Sequence, residues 1–407
     1  MQNTPKALRL HIGIFGRRNV GKSSLLNALT EQPIAIVSDT PGTTTDPVEK
    51  TMELLPLGPV VFIDTAGIDD IGALGEMRIK KTMEVFERTD LGLIVTEANQ
   101  WGEFEERLKN ILKEQKIPFV VVLNKIDIIS PDEEIIKRLE EEKIPYIAVS
   151  AEKRQNIEEL KELLLKIAPA EWFNPPTLVG DLLPAGELAV LVVPIDLEAP
   201  KGRLILPQVQ TIRDILDSDA YCMVVKEREL RDALERLKRP PKLVICDSQC
   251  VLKVVADTPP NIQVTTFSII MARFKGDLPT LVKGVKAIEK LEPGDKVLIA
   301  EACTHHPIAD DIGRVKIPRW LRQYVGGKLE IDVCPGRAFP ENLADYKLVI
   351  HCGGCMLNRR EMLSRLYKAT RQGVPITNYG VAISFLQGVL HRTIEPFPYA
   401  KMILEDN

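Results

Sequence analysis

The 407-residue chain has little aromatic content (5%), five histidines, and no apolar run longer than a strand. Its longest runs, such as Leu188 to Val193, fall far short of the roughly 20 residues that span a bilayer. No charged-then-apolar leader opens it, so a soluble, cytoplasmic protein with no membrane partner is expected. Positive charge is scarce: the net charge is −4, and no run of lysine or arginine is longer than the pair Lys238-Arg239. This lacks the electrostatic footprint of nucleic-acid binding, and no nucleic-acid partner is expected. Seven cysteines do not make a disulfide framework in a chain of this kind; they are ligands or core residues. No internal repeat or low-complexity tract is visible. What the chain does have, 45% hydrophobic and 27% charged residues, is globular, and its length suits two to three domains.

Gly16-Arg17-Arg18-Asn19-Val20-Gly21-Lys22-Ser23 is a G-x-x-x-x-G-K-S loop. The alternating run Leu8, Leu10, Ile12, Ile14 precedes it, and the helical run Ser24-Leu25-Leu26-Asn27-Ala28-Leu29 follows. That strand, loop and helix form a phosphate cradle: glycines let N–H groups point inward, Lys22 supplies charge for the β- and γ-phosphates, and Ser23 ligates Mg²⁺. Asp64-Thr65-Ala66-Gly67 closes the strand Val60 to Ile63, placing a carboxylate to hold Mg²⁺ through water and a glycine N–H at the γ-phosphate. Asn124-Lys125-Ile126-Asp127 ends the strand Phe119 to Leu123, where Asp127 can accept the two donors that guanine presents and adenine lacks. Ser150-Ala151, after Tyr146 to Val149, offers a backbone N–H to guanine O6. Unpaired buried donors cost about 1–3 kcal/mol each, so two mismatches reject ATP. The reading is GTP and GDP, on an α/β P-loop domain with a doubly wound, mostly parallel sheet.

Pro41-Gly42-Thr43-Thr44-Thr45-Asp46 resembles the G-T-T-x-D switch of the Era and tRNA-modification GTPase group. The resemblance implies that Thr44 binds Mg²⁺ and that Asn19 helps to bind an activating K⁺. The group's usual arginine is Thr45 here. Ile68 stands where many GTPases place a water-orienting glutamine, so intrinsic turnover is expected to be slow, roughly 10⁻⁴ to 10⁻² s⁻¹. In the tRNA-modification relatives a glutamate positions the water, and Glu76 falls at the matching place.

The expected domains are a GTPase domain over 1–168, a linker over 169–185 rich in proline, a second α/β domain over 186–261 and a third over 262–407. The second and third read as strands alternating with amphipathic helices. Cys303-Thr304-His305 follows the strand Lys296 to Ala300, and His351-Cys352-Gly353-Gly354-Cys355 follows Lys347 to Ile350. Two strand ends of one sheet can converge, and glycines let the backbone wrap close to a bound metal group. The residue types suit closed Cys₃His zinc as well as an iron–sulfur cluster with one exchangeable ligand. Candidate fourth ligands are His305, His351 and the carboxylates Asp310 or Asp311. Cys222 and Cys334 read as core residues, and Cys246 and Cys250 as an ordinary turn.

An Era-type GTPase domain joined through a linker to Cys-x-His and His-Cys-x-x-Cys resembles the [FeFe]-hydrogenase maturation GTPases, the HydF family. That resemblance implies a homodimer through the middle domain and a 4Fe–4S cluster on Cys303, Cys352 and Cys355. It also implies a scaffold that receives a diiron precursor and delivers it to apo-hydrogenase, with two radical-SAM maturation enzymes as further partners. The rival reading is an Era-like, RNA-associated GTPase with structural zinc.

Overall fold

The computed structural model describes residues 4–30, 48–55, 57–64, 83–173, 176–194, 204–302, 311–336 and 339–405. Thr44, Gly67, Ile68, Glu76, Cys303, His305 and Asp310 lie outside them. The chain forms two compact units, Met1–Pro175 and Pro176–Asn407.

Among the described residues six strands build the first unit: β1 (Leu10–Phe15), β2 (Val48–Leu54), β3 (Gly58–Asp64), β4 (Leu91–Glu97), β5 (Phe119–Asn124) and β6 (Tyr146–Ala148). Their order is β2-β3-β1-β4-β5-β6, with only the β2–β3 pair antiparallel. Every residue of β1 and β5 is buried because helices cover both faces, which is why Phe119 to Leu123 reads as a continuous apolar run; β1 is buried throughout although His11 and Gly13 make its sequence alternate. Alternate residues serve separate cores. Ile12, Phe62, Leu93 and Val122 pack with Leu25, Leu29, Leu160 and Leu164 from the helices Lys22–Thr30 and Ile157–Ile167. Phe15, Ile63, Ile94 and Val121 pack with Leu108, Leu112, Ile135 and Leu139 from Glu103–Glu114 and Glu133–Glu141. The expected doubly wound fold is what forms. At its end Trp172 donates from Nε1 to the Leu57 carbonyl at 3.0 Å, anchoring the start of the proline-rich segment.

The described residues of the second unit form two four-stranded parallel sheets. One comprises β7 (Leu188–Val192), β8 (Tyr221–Val225), β9 (Leu243–Cys246) and β10 (Gln263–Thr266), in the order β10-β9-β7-β8. The other comprises β11 (Lys296–Ala300), β12 (Glu330–Cys334), β13 (Leu348–His351) and β14 (Ile376–Asn378), in the order β12-β11-β13-β14. A single apolar core joins them, from Val190 and Ile245 through Ile270 and Leu281 to Ile299, Ile350 and Ile383. Counted along the chain, each sheet has its second strand at one edge, then its first, third and fourth. The identical order overturns the expectation that the chain contains no internal repeat.

Candidate nucleotide site and cysteine loop

The phosphate loop leaves β1 through Gly16, whose φ is +151°; a Cβ there would lie 2.1 Å from the Val95 carbonyl oxygen. Gly21, at φ +93°, admits Asn124, whose Nδ2 would stand 2.3 Å from an added Cβ. Asn19 takes a left-handed turn between them (φ 64°). Lys22 curls back over the loop, its Nζ donating to the carbonyls of Gly16 (2.7 Å) and Arg17 (2.6 Å). Val20 is buried and Ser24 half-buried in the first turn of the helix that follows. Burial pushes the Asp64 carboxyl upward, against the opposing pull of Lys22, Lys50 and a hydrogen bond with Ser23. Its Oδ1 is buried without a hydrogen-bond partner. A desolvated carboxylate oxygen with no donor, beside a hydroxyl and facing two lysines, fits a hydrated Mg²⁺ and the phosphates that share it.

The residues expected to specify guanine also meet. Asn124, 2% exposed, donates from Nδ2 to the Val20 carbonyl at 2.9 Å and accepts the Ala151 N–H on Oδ1 at 3.0 Å. It therefore ties the phosphate loop to the base loop. Ser150 Oγ donates to Asp127 Oδ1 at 2.7 Å and accepts the Lys153 N–H at 3.0 Å. Lys125, left-handed at φ 68°, pairs with Glu97. Sequence reasoning missed Arg17, which makes a two-pronged pair with Glu105 (2.7 and 3.0 Å) while Glu105 also accepts the Gly102 N–H at 2.9 Å. Nothing local marks that partnership, since the two residues are 88 apart in the chain.

In the second unit, β13 delivers Cys352 beside Ala302. Cys352 Sγ accepts the N–H of Ala302 at 3.1 Å and of Gly354 at 3.5 Å, the latter held at φ +62°. Burial pushes both the Cys352 and Cys355 thiols up. Beneath them lies Lys275, 1% exposed, whose Nζ donates to the carbonyls of Gly354 (3.1 Å), Cys355 (2.9 Å) and Leu357 (2.6 Å). Burial lowers its pKa to about 8. Among the candidate fourth ligands, His351 is fully buried, with its pKa drawn to about 3 by burial and by Arg365. Its Nδ1 lies 2.7 Å from the Cys352 carbonyl and its Nε2 3.0 Å from the Arg365 guanidinium. Both ring nitrogens are therefore engaged, and Arg365 also stacks over Phe339. Asp311 accepts the Arg314 N–H at 2.8 Å. Among the described residues no three histidines, cysteines or carboxylates group to hold a metal.

At the edge of its sheet, β8 carries exposed Tyr221 (64%) and Val224 (45%), with Leu216 and Val209 exposed on the helix Leu206–Asp217. No helix among the described residues is long and apolar enough to cross a membrane.

Comparison with known proteins yields three family matches and a set of relatives. Residues 11–125 match the 50S ribosome-binding GTPase model. The curated relatives include GTPase Der of Wolinella succinogenes, 35% identical over 177 residues (41% of this chain, 37% of that protein). GTPase Der of Deinococcus deserti is 38% identical over 143 residues (35% and 32%). The chain spans about a third of the length of these relatives. Similar solved structures include a point variant of Aquifex aeolicus Era bound to GDP.AlF4⁻ (22% identity, TM-score 0.36, covering 53% of this chain and 92% of that one). A probable GTP-binding protein engB is another (24%, TM-score 0.32, covering 39% and 97%). Beyond the GTPase region, residues 178–276 match the Hydrogen maturase F dimerization domain and 279–396 the Hydrogen maturase F tetramerization domain. Since those two models in tandem cover more than half of the chain and follow a GTPase domain, the chain belongs to the HydF family of hydrogenase maturase GTPases.

Proposed function

We propose that this protein is a slow, K⁺-stimulated GTPase that serves as scaffold and carrier in assembly of the [FeFe]-hydrogenase metal centre. Lys22 and the loop N–H groups bind the β- and γ-phosphates, Ser23 and Thr44 hold Mg²⁺, and Asp64 takes a metal-bound water on its unpartnered oxygen. Gly67 senses the γ-phosphate, Asn19 helps to hold K⁺, and Glu76 orients the attacking water. Asp127 and the Ala151 N–H select guanine, their loops joined by Asn124. GTP binding orders the switch loops and thereby times partner release; hydrolysis resets them.

Cys352 and Cys355, joined by Cys303, hold a 4Fe–4S cluster, with His305 or Asp310 as the replaceable fourth ligand. His351 instead fixes the loop through Arg365. The observation that carries this reading is the pair of backbone N–H groups aimed at Cys352 Sγ, the arrangement that stabilises thiolate bound to an iron–sulfur group. When bound, the cluster supplies an open iron position for the diiron cargo. The partners are apo-[FeFe]-hydrogenase, two radical-SAM maturation enzymes, and a second copy of this chain joined at the apolar β8 edge, in the cytoplasm. An unpaired apolar strand edge is a template for pairing with another chain.

The test is iron, sulfide and zinc content with EPR, on protein purified and reconstituted without oxygen, before and after imidazole. About four iron and four sulfide per chain, the content of the proposed 4Fe–4S cluster, with a reduced signal that moves with imidazole, is the expected result. Stoichiometric zinc without sulfide would overturn the cluster reading.

A further inference from the structure

The shared strand order of the second unit extends to residues and hydrogen bonds. Lys242-Leu243-Val244-Ile245 leads into Cys246 and ends at Cys250, just as Lys347-Leu348-Val349-Ile350 leads into His351 and ends at Cys355. Gly186 and Gly294, both at positive φ, donate to the carbonyls of Asp219 and Lys328, each at 2.8 Å. The N–H groups of Lys242 and Lys347 reach Leu188 and Lys296, and those of Val193 and Glu301 reach Val225 and Cys334, all at 2.8 Å. Thr266 and Asn378 cap the equivalent helices Phe267–Lys275 and Tyr379–Leu386.

Ser268 and Gly380 occupy the same place in those two helices, and the Gly380 N–H donates to Ser268 Oγ at 3.0 Å. The packing is reciprocal, Phe267–Lys275 lying against the helix after the second repeat's cysteine loop and Tyr379–Leu386 against Ser248–Cys250 of the first, which is the mark of an approximate twofold axis within a single chain. Across it the first helix of the pair runs beneath the cysteine loop of the other repeat. In the same alignment Lys275 corresponds to Gln387, so the position is cationic in one repeat and neutral in the other.

A buried ammonium costs several kcal/mol unless it is both hydrogen-bonded and answered by negative charge. Three carbonyls satisfy the three donors of Lys275. The groups facing it that can carry negative charge are the sulfurs of Cys355 and Cys352, which ionise when they bind a metal group, and the carboxylate of Glu361, which already accepts from Arg365 at 3.3 Å. In the repeat whose loop has Asp247 where this one has Cys352, the corresponding side chain bears no charge. We propose that Lys275 is the positioning and charge-compensating residue of the Cys352–Cys355 loop, supplied across the internal twofold by the other repeat. This rests on Cys352 and Cys355 being ligands of an anionic iron–sulfur group.

The test uses the full chain with Lys275→Gln, the residue found at the equivalent position, and Lys275→Arg. Each is purified without oxygen, its melting midpoint is taken before loading, and it is then reconstituted with ferrous iron and sulfide for metal content and midpoint potential. Removing a nearby cation disfavours the more negative, reduced state. Lys275→Gln should therefore take up cluster at a lower potential, by roughly tenfold in the redox equilibrium (about 59 mV for one electron), while Lys275→Arg stays near wild type. Before loading, Lys275→Gln should melt below wild type, because three buried carbonyls lose their donor, while Lys275→Arg keeps donors for them and melts closer to wild type. An unchanged potential in the loaded Gln variant, or a shift in Lys275→Arg as large as in Lys275→Gln, overturns this inference alone. Wild-type protein that takes up no iron and sulfide overturns the cluster reading as well.

Discussion

Asn124 offers a quantitative test of how the nucleotide site is built. Asn124→Ala removes two hydrogen bonds at once, leaving the Val20 carbonyl and the Ala151 N–H without their partner. Each buried group so orphaned costs about 1–3 kcal/mol. Water admitted by the shortened side chain recovers part of this, so about 2–3 kcal/mol is expected, lost from the arrangement of two loops that nucleotide binding requires. At 1.4 kcal/mol per tenfold, GDP affinity should fall on the order of 30- to 150-fold. The loss should be the same for inosine diphosphate, which lacks the guanine amino group, because Asn124 joins loops and takes no part in recognising that amine. Asp127→Ala should behave differently, narrowing the preference for GDP over the inosine nucleotide. Competition titrations against a fluorescent GDP analogue measure both quantities. Affinity within threefold of wild type in Asn124→Ala, or a collapse of its guanine preference, would refute the reasoning.

Three further perturbations probe other parts of the molecule. Lys22→Ala should abolish phosphate release while leaving the iron content of reconstituted protein unchanged, because the loop and the cysteines belong to different compact units; loss of both, with folding verified by circular dichroism, would contradict this division. Hydrogen bonds from Lys109 and Lys113 hold Glu142 down to about 2 from an ordinary value of 4.5. A depressed carboxyl pKa contributes stability that is complete above the unfolded value and disappears as pH falls through the folded one. The urea midpoint of wild type should therefore exceed that of Glu142→Gln at pH 6 and converge with it near pH 2; a gap independent of pH would exclude the ion pairs as its cause. Tyr221→Asp combined with Val224→Asp places charge on the exposed β8 edge and should convert the proposed dimer to a monomer in sedimentation velocity with GTP turnover per chain unaltered. An undiminished mass at micromolar concentration would move the interface elsewhere.

The motifs of the first unit were legible because each is local: a phosphate loop fits within eight residues, and its flanking strand and helix announce themselves by apolar periodicity. The continuous burial of β5 followed from the same pattern, as did the place of the cysteine pair after β13; that of β1 did not, because His11 and Gly13 give it the alternation of a strand with one buried face. What joins these pieces was not legible. Asn124 reaches Val20 across 104 residues, and Arg17 reaches Glu105 across 88. The internal repeat escaped notice because a helix of seven residues, Val251–Asp257, stands in one copy where Arg359–Arg371 stands in the other, breaking any constant spacing. Nothing in the local sequence sets Lys275 apart from the chain's solvated lysines. Chain order alone was enough for the nucleotide chemistry, since backbone loops present their own N–H groups. Folding assigned the side chains that support those loops, because a buried charge or amide takes its role from partners that only tertiary packing brings within hydrogen-bond reach.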